Sequence, residues 1–421
     1  MTDTTFTQGT IIEPTWLQDA NDHVNDKTGI KHAASKISNT PAGNISATTV
    51  QAAINELDSE KQASNANLTA LNTTASQAEM EAGSLTTVRA MSPKLVLDAI
   101  NYSATKYNYF HNPEMSVQQR PALTPSNSRK IGQVDRWAYQ VGNASFTATA
   151  GSLGGVTIDN RQVLNATVQF TAANAHIFDQ RLPAKDCWKF GDKAITVSAY
   201  VFQNSGASQS WYWEIDGANS VDNFFAKTTH ATGSASPVTV PTGVWTRVTF
   251  TTTLTNSQVA NGLEFRVRST STAAGSSHNV RLKDCQLEFG STATTFSSRS
   301  YDEELAICRR FWRTSYLPGV NPGTADPNGA LAFRQVIASE TDHTGLREYF
   351  GIPMAKDPAI TWYNPNSGAA GSLYDYSGGA NRTISATYRK SVYSTGYPGV
   401  SPGAGVAGAY CLVHYVSDAE L

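Results

Sequence analysis

Chemistry in a protein chain needs carboxylates, imidazoles, thiols or activated hydroxyls held close together. The densest such group here is SETDHTGLRE, which gathers Glu340, Asp342, His343 and Glu348. A metal site or an acid/base pair could be drawn from it, but the stretch lies between two strand-like runs and reads as a solvated hairpin turn. GAGVAG sets Gly403, Gly405 and Gly408 at the spacing of a dinucleotide-binding loop, yet only 13 residues follow. No acid can stand about 20 residues further on, so the required βαβ unit is missing. His111, His176, His230 and His278 are scattered without ligand spacing. Cys187, Cys285, Cys308 and Cys411 lie far apart with no C-x-x-C pair, which predicts buried free thiols rather than a zinc site or a disulfide framework. Hydrolysis needs paired carboxylates or an activated nucleophile. The acids are few and dispersed, there is no G-x-S-x-G elbow, and no repeat of a polysaccharide-degrading β-helix occurs. The expectation is a protein without catalysis, metal or cofactor.

The aromatic residues remain. Trp211 and Trp213 share one face of a strand and are expected in a core. Trp362, Tyr363, Tyr374, Tyr376, Tyr393 and Tyr397 sit beside Gly, Pro, Asn and Ser in segments that read as loops. Aromatic faces stack on the apolar faces of sugar rings, so these six are candidate receptor-binding residues; the alternative is that they pack a subunit interface.

Hydrophobic spacing supplies the elements that would hold such residues. In KAITVSAYVFQ, Ile195, Val197, Ala199 and Val201 share a face. Val244, Val248 and Phe250 do so in VWTRVTF, while Leu263, Phe265 and Val267 alternate with Glu264, Arg266 and Arg268 in LEFRVRS. Each run predicts a strand with one wet face. With SWYWEID, VRLKDCQLEF and turns such as Pro241-Thr242-Gly243, residues 116–317 are expected to form an antiparallel, jelly-roll-like β-sandwich ending in a short helix. In that helix Ser300 and Glu303 make a capping box, acids at 302–304 meet the positive end, and Arg309, Arg310 and Arg313 meet the negative end. Tyr301, Leu305, Cys308 and Trp312 fall on one face. Residues 318–421, rich in Gly, Pro and Tyr with short strand-like runs, predict a smaller C-terminal β domain with long loops.

Upstream, residues 31–115 read as helical. Thr48 and Gln51 form a T-x-x-Q capping box, which starts a helix near Thr49. Val50, Ile54, Leu57, Leu68, Leu71, Ala75 and Ala78 then recur at steps of three and four, with Lys61 and Ser64 in the two remaining places. So narrow a seam favours a coiled coil. A helix from Val50 to Ala78 would be roughly 44 Å long, and one copy in water cannot bury its seam, so another copy of the chain is the expected partner. Ser76 with Glu79, Gly83 and Ser92-Pro93 punctuate a second and third helix. In residues 1–30, Phe6, Ile11, Ile12, Trp16 and Leu17 are too few for a core and need something to dock on.

Across 421 residues, 40% hydrophobic composition suffices for cores, and charged residues make up only 16% with a net charge of -2. No polybasic block suggests nucleic acid, and no basic, apolar leader or long apolar run suggests export or membrane insertion.

Three segments carry a family resemblance. CQLEFGSTATTFSSRSYDEELAICRRFW closely resembles the end of a β-sandwich found in tail fibres and tail-associated proteins of bacteriophages. HAASKISNTPAGNISATTVQAAINELDSEK and ASQAEMEAGSLTTVRAMSPKLVLDAI look like shaft modules of the same proteins. TTFTQGTIIEPTWLQDANDHV is similar to the virion-anchoring N-termini of short-tailed phage fibres, and VWTRVTF is similar to carbohydrate-binding jelly rolls. The resemblance implies an elongated homotrimer, mainly β, with an α-helical coiled-coil shaft at residues 31–115. Residues 1–30, through Phe6, Ile12, Trp16 and Leu17, would join a phage tail or portal-associated protein. The chain would be made in the host cytoplasm and carried on the virion, binding a bacterial surface glycan or outer-membrane protein without catalysis. A structural adaptor that docks another fibre or spike is the first alternative, and a spike depolymerase acting on host polysaccharide is the second.

Overall fold

The period-two runs fold as strands and bury the residues that the alternation places on one side. The computed structural model describes residues 15, 37–41, 45–72, 107–126, 128–142, 153–158, 160–169, 174–270, 277–334, 348–400 and 408–421. The chain divides into two units, Met1–Ser103 and Ala104–Leu421.

In the first unit, helix α1 spans Val50–Asn72. Its cap is Thr49 rather than Thr48: the Thr49 hydroxyl accepts from the Ala52 amide at 3.3 Å, and Gln51 turns instead to Asn55 (3.0 Å). The preceding chain folds back on the helix start, where Glu56 accepts from the Ser46 hydroxyl at 2.9 Å and the Ala47 amide at 3.0 Å. The seam residues Ile54 and Leu57 are 54% and 51% exposed. Leu68 and Leu71 fall within α1; Ala75, Ala78, the second and third helices, and Phe6, Ile12, Trp16 and Leu17 lie outside the described residues.

Among the described residues the second unit begins with twelve strands: β1 (Lys130–Ile131), β2 (Ala138–Val141), β3 (Leu153–Ile158), β4 (Arg161–Val168), β5 (His176–Leu182), β6 (Lys193–Gln203), β7 (Gln209–Ser220), β8 (Asn223–Thr232), β9 (Val238–Val240), β10 (Thr246–Leu254), β11 (Leu263–Ser269) and β12 (His278–Phe289). One sheet has the order β1-β2-β5-β11-β7-β8, with β9 on β7; the other runs β10-β6-β12-β4-β3. All their pairings are antiparallel, and a single apolar core fills the space between them. Ile195, Val197, Ala199 and Val201 from one sheet meet Trp211, Trp213, Phe265 and Val267 from the other, as the alternation requires. Val244 departs from the expected face: β10 starts only at Thr246, and Val244 stands half-exposed in the preceding turn. The core also takes in Phe110 and Met115, so the sandwich begins upstream of residue 116.

Helix α4 (Tyr301–Cys308), which follows short helices α2 (Ala184–Cys187) and α3 (Asn256–Val259), carries the expected Ser300–Glu303 capping box. Its Glu304 accepts from the Asn112 amide at 2.7 Å, which ties the helix to the sandwich. Tyr301 stays exposed, whereas Cys308 and Trp312 are buried. Seven further strands follow: β13 (Trp312–Thr314), β14 (Leu331–Arg334), β15 (Ala359–Tyr363), β16 (Ser372–Asp375), β17 (Ala380–Tyr388), β18 (Tyr397–Val400) and β19 (Tyr410–Asp418). They form a sheet around β19, which pairs with β13, β14, β15 and β16.

The chain end locks this sheet to the sandwich. Glu420 is buried against Arg136 and Arg120, the Arg120 bond being 2.6 Å, and the Arg136 guanidinium lies 3.5 Å over the Phe311 ring. The Ala419 amide donates to the Phe311 carbonyl at 2.7 Å and Arg181 donates to the Leu421 carbonyl at 2.7 Å. All four cysteines are buried and free. Among the described residues no helix is long and apolar enough to cross a membrane.

Candidate functional site

Residues that the core does not take from β4, β6, β10 and β12 point to the other side of their sheet. The register sets them in rows. Arg247 on β10 stands opposite Tyr200 on β6, which stands opposite Lys283 on β12; in the next row Phe202 faces Arg281, which faces Asn165 on β4. Each cation rests against a ring: Lys283 Nζ lies 4.4 Å from the Trp245 centroid, Arg281 4.9 Å from Phe202, and Arg247 6.0 Å from Tyr200.

Trp245 precedes β10, and a turn puts it there. Gly243 adopts φ +76°, the Val244 amide donates to the Pro241 carbonyl at 3.4 Å, and the Gly243 amide donates to the Gln203 carbonyl at 2.7 Å. Pinning this turn to the end of β6 brings the Trp245 ring within 5.5 Å of Phe202. A bulge sets the opposite wall. The β12–β6 register slips between Lys283 and Gln286, and Asp284 takes φ +50°, so the consecutive side chains Lys283 and Asp284 both reach the cleft. Arg161 from β4 closes on Asp284 at 2.8 Å. The result is a cleft of about 420 Å³ lined by Arg161, Tyr200, Trp245, Arg247, Lys283, Asp284, Thr295 and Phe296.

Its electrostatics are one-sided. Arg247 donates to the Ser198 hydroxyl (2.9 Å) and the Thr294 carbonyl (2.5 Å), and Arg281 donates to the Asn165 side-chain carbonyl (3.0 Å). Partial burial lowers the Arg281 guanidinium from its ordinary range. Among the described residues no carboxylate pairs with Arg247, Arg281 or Lys283, and Asp284 is the one acid in the lining. The other sheet's outer face is the reverse. There Arg181 holds Glu264 at 2.6 Å, Arg266 holds Asp216 at 2.6 Å, and Lys227 bridges Asp216 and Glu264, so charge is neutralised strand by strand. Burial would raise the Glu264 carboxyl, but Arg181 and Lys227 overcome it and hold it low. One face is a closed ionic ladder, and the other offers cations and rings to solvent.

The six aromatic residues singled out from sequence are not brought together. Trp362 and Tyr397 are only 3% and 8% exposed; Trp362 sits in the β19 core with its indole N–H on Thr387 at 2.8 Å, so it is a packing residue rather than an offered ring. Trp362, Tyr363, Tyr374 and Tyr397 lie on strands, not loops: Pro358 and Gly371 stand just before β15 and β16, while Pro398 and Gly399 are taken into β18 itself. Tyr363 is half-buried against Tyr316. Tyr374 and Tyr376 do meet, edge to face at 6.2 Å, with Tyr410 beyond, and Tyr376 and Tyr393 are 64% and 60% exposed. Trp211 and Trp213 are fully buried. Glu340, Asp342, His343, Gly403 and Gly405 lie outside the described residues, and among those described no three His, Cys, Asp or Glu side chains gather as a metal site. The cleft was missed although its signal is local: W-T-R in VWTRVTF, Y-V-F in KAITVSAYVFQ and R-L-K in VRLKDCQLEF each set an aromatic or a cation at alternate, outward positions.

No known protein family matches this sequence, and no curated protein does. Among solved structures the chain is similar to the CBM22-1–GH10 modules of Clostridium thermocellum xylanase 10B complexed with xylohexaose (11% identity, 46% of this chain, TM-score 0.27), spanning 30% of that chain's length. It is also similar to the C-terminal family 22 carbohydrate-binding module of the same enzyme (12% identity, 45% of this chain and 98% of that one, TM-score 0.29). The CBM22-1–CBM22-2 tandem of Paenibacillus barcinonensis xylanase 10C gives 13% identity over 75% of this chain and 97% of that one, with a TM-score of 0.27. The residues of the cleft, rather than these similarities, carry the functional reading.

Proposed function

We propose that this chain is a non-catalytic attachment protein that binds a bacterial surface glycan in the Trp245 cleft and is carried as a homotrimeric bacteriophage tail fibre. The observation that carries the binding site is the concave outer face of the five-stranded sheet, where Trp245, Tyr200 and Phe202 stand among polar and charged groups. Concavity, apolar ring faces and a few placed hydrogen-bonding groups are what a sugar site requires. Carboxylate-pair hydrolysis would need a second acid roughly 5–10 Å from the first, and the lining holds one, already paired with Arg161. The fibre part of the reading is supported by the sequence resemblances and by α1, whose Ile54 and Leu57 leave an apolar seam for two further copies. In this reading residues 1–30 anchor to the virion, the chain from residue 31 to the start of the second unit at Ala104 forms the shaft, and the sandwich, with residues 318–421 locked to it, faces the host.

The test is glycan-array and whole-cell binding by the full chain and by Trp245→Ala. Loss of one stacking ring should weaken glycan binding by roughly 1–3 kcal/mol with the melting temperature unchanged. Glycan binding indifferent to Trp245→Ala and Tyr200→Ala would remove the cleft from consideration. Cell binding that survives both substitutions and enzymatic stripping of glycans would point to an outer-membrane protein instead.

A further inference from the structure

Resting on that reading of the cleft, we propose that its ligand is an acidic glycan, recognised through an anionic substituent, carboxylate or phosphate, that meets Lys283, Arg281 and Arg247. The whole chain carries a net charge of -2, yet the cleft lining holds Arg161, Arg247 and Lys283 with one carboxylate, Asp284, and Arg281 stands in the adjacent row. That carboxylate, Asp284, is occupied by Arg161 at 2.8 Å. The opposite sheet balances its charge: there Arg181, Arg266 and Lys227 each have an acid within 3.3 Å. Three cations without acids are therefore a departure from how the opposite sheet treats charge, and crowding like charges costs stability that an anionic ligand would recover.

The rings decide how that counter-charge is read. Lys283 Nζ lies on the face of Trp245 and Arg281 on Phe202, so the cations cover the surfaces a sugar would stack on. An anionic substituent draws the Lys283 ammonium off the indole by forming a charge-assisted hydrogen bond, and the freed ring face then takes the sugar's C–H groups. A neutral sugar must displace the ammonium with only the weaker hydrogen bonds of its hydroxyls offered in exchange. Stacking and charge recognition are thus one event, which distinguishes the site from a general polyanion patch. Arg247, fixed by Ser198 and Thr294, is the rigid donor of the set, and the flexible Lys283 is the part that moves.

The test uses the full chain with four probes: oligogalacturonate, its methyl ester, a phosphomannan and poly-glutamate, read by calorimetry and indole fluorescence at low and high salt. Free oligogalacturonate or the phosphomannan should bind about tenfold or more tighter than the ester, with the advantage lost at high salt. Which of the two binds identifies the anionic group. Lys283→Gln and Arg281→Gln should bring the acidic probe down towards the ester, while thermal melting confirms that both variants fold. Equal binding of acid and ester overturns the charge inference and leaves the cleft as a sugar site. Poly-glutamate binding as well as the acidic glycan, without dependence on Trp245, overturns it in favour of a general anion patch. Absence of binding by all probes overturns it for both classes of acid, and loss of glycan-array signals in the same protein would take the cleft reading with it.

Discussion

At the scale of single residues, this protein separates aromatic side chains that look alike in sequence. Trp211 and Trp213 are spaced i, i+2 on one strand; Trp245 and Arg247 share that spacing, yet the first pair is sealed in the core and the second lies at the cleft. Trp213 packs on Phe110 at 5.9 Å and donates to the Val248 carbonyl at 3.0 Å. Trp213→Ala and Trp362→Ala should each cost about 3–5 kcal/mol in urea denaturation, because a cavity is left and a buried acceptor loses its partner. Trp245→Ala and Tyr376→Ala, from surface positions, should stay within about 0.5 kcal/mol of the parent. If Trp362→Ala instead proved neutral to stability, its burial in the β19 core would be misassigned.

At the scale of elements, two devices position the site and the unit around it. The first is the turn before β10, where Gly243 occupies the left-handed region with no neighbouring atom near its missing Cβ. Only strain is therefore added by Gly243→Ala, about 1–2 kcal/mol, and relaxation of the turn should shift Trp245 and weaken glycan binding more than stability. A calorimetric titration beside a melt separates those two effects. The second device is the buried carboxylate at the chain end. Burial alone would raise the Glu420 carboxyl, but Arg136, Arg120 and Arg129 outweigh it and hold it below the ordinary carboxylate range. Glu420→Gln would leave the buried Arg136 guanidinium without its counter-charge, while Arg120 keeps Asp135 at 2.8 Å, an expected loss of about 3–5 kcal/mol. Intact stability in that variant would mean that the sheet around β19 does not depend on the clamp.

At the scale of the whole molecule, pH and assembly give the sharpest readouts. His176 is fully buried, with Tyr139 Oη at 2.9 Å and His278 at 3.1 Å, and burial followed by His278 holds it well below its ordinary value. His111 is lowered in the same way, by burial and then by Arg136 and its cationic neighbours. Unfolded, both titrate near about 6.5; folded, both stay neutral, so below that pH the unfolded chain binds more protons and stability falls. The slope should approach about 1.4 kcal/mol per pH unit per histidine between pH 6.5 and 5, and vanish for these groups above it. Equal urea midpoints at pH 7.5 and 5.5 would contradict this. For the assembly, light scattering of the full chain should give three chain masses. Replacing Ile54 and Leu57 with Asp should reduce that to one without lowering the melting transition of the 104–421 unit, since charges in the seam oppose packing of copies and belong to the other unit.

What the sequence determined by itself was local. Alternation at Ile195–Val201 and Leu263–Val267 was enough to say which residues face the core, because a strand's side chains change sides at every step, but the expected wet face is not fully wet: Thr196, Ser198 and Glu264 on the other side are buried as well. The Ser300–Glu303 box was legible because a cap is satisfied within four residues. The cap of α1 was misplaced by one residue, since adjacent threonines offer the same hydroxyl and only the backbone path chooses between them. Tertiary structure decided the rest. Outward residues on Arg247, Tyr200 and Lys283 become one row only through strand register, and a bulge at Asp284 that no propensity announces brings the acid into the cleft. Register and bulge are set by pairing between segments far apart in the chain, and so is the Arg136–Glu420 clamp, whose partners are 284 positions apart. Periodicity reports which face of an element turns to the core; whether the other face is wet, and becomes a site, depends on what the neighbouring strands place beside it.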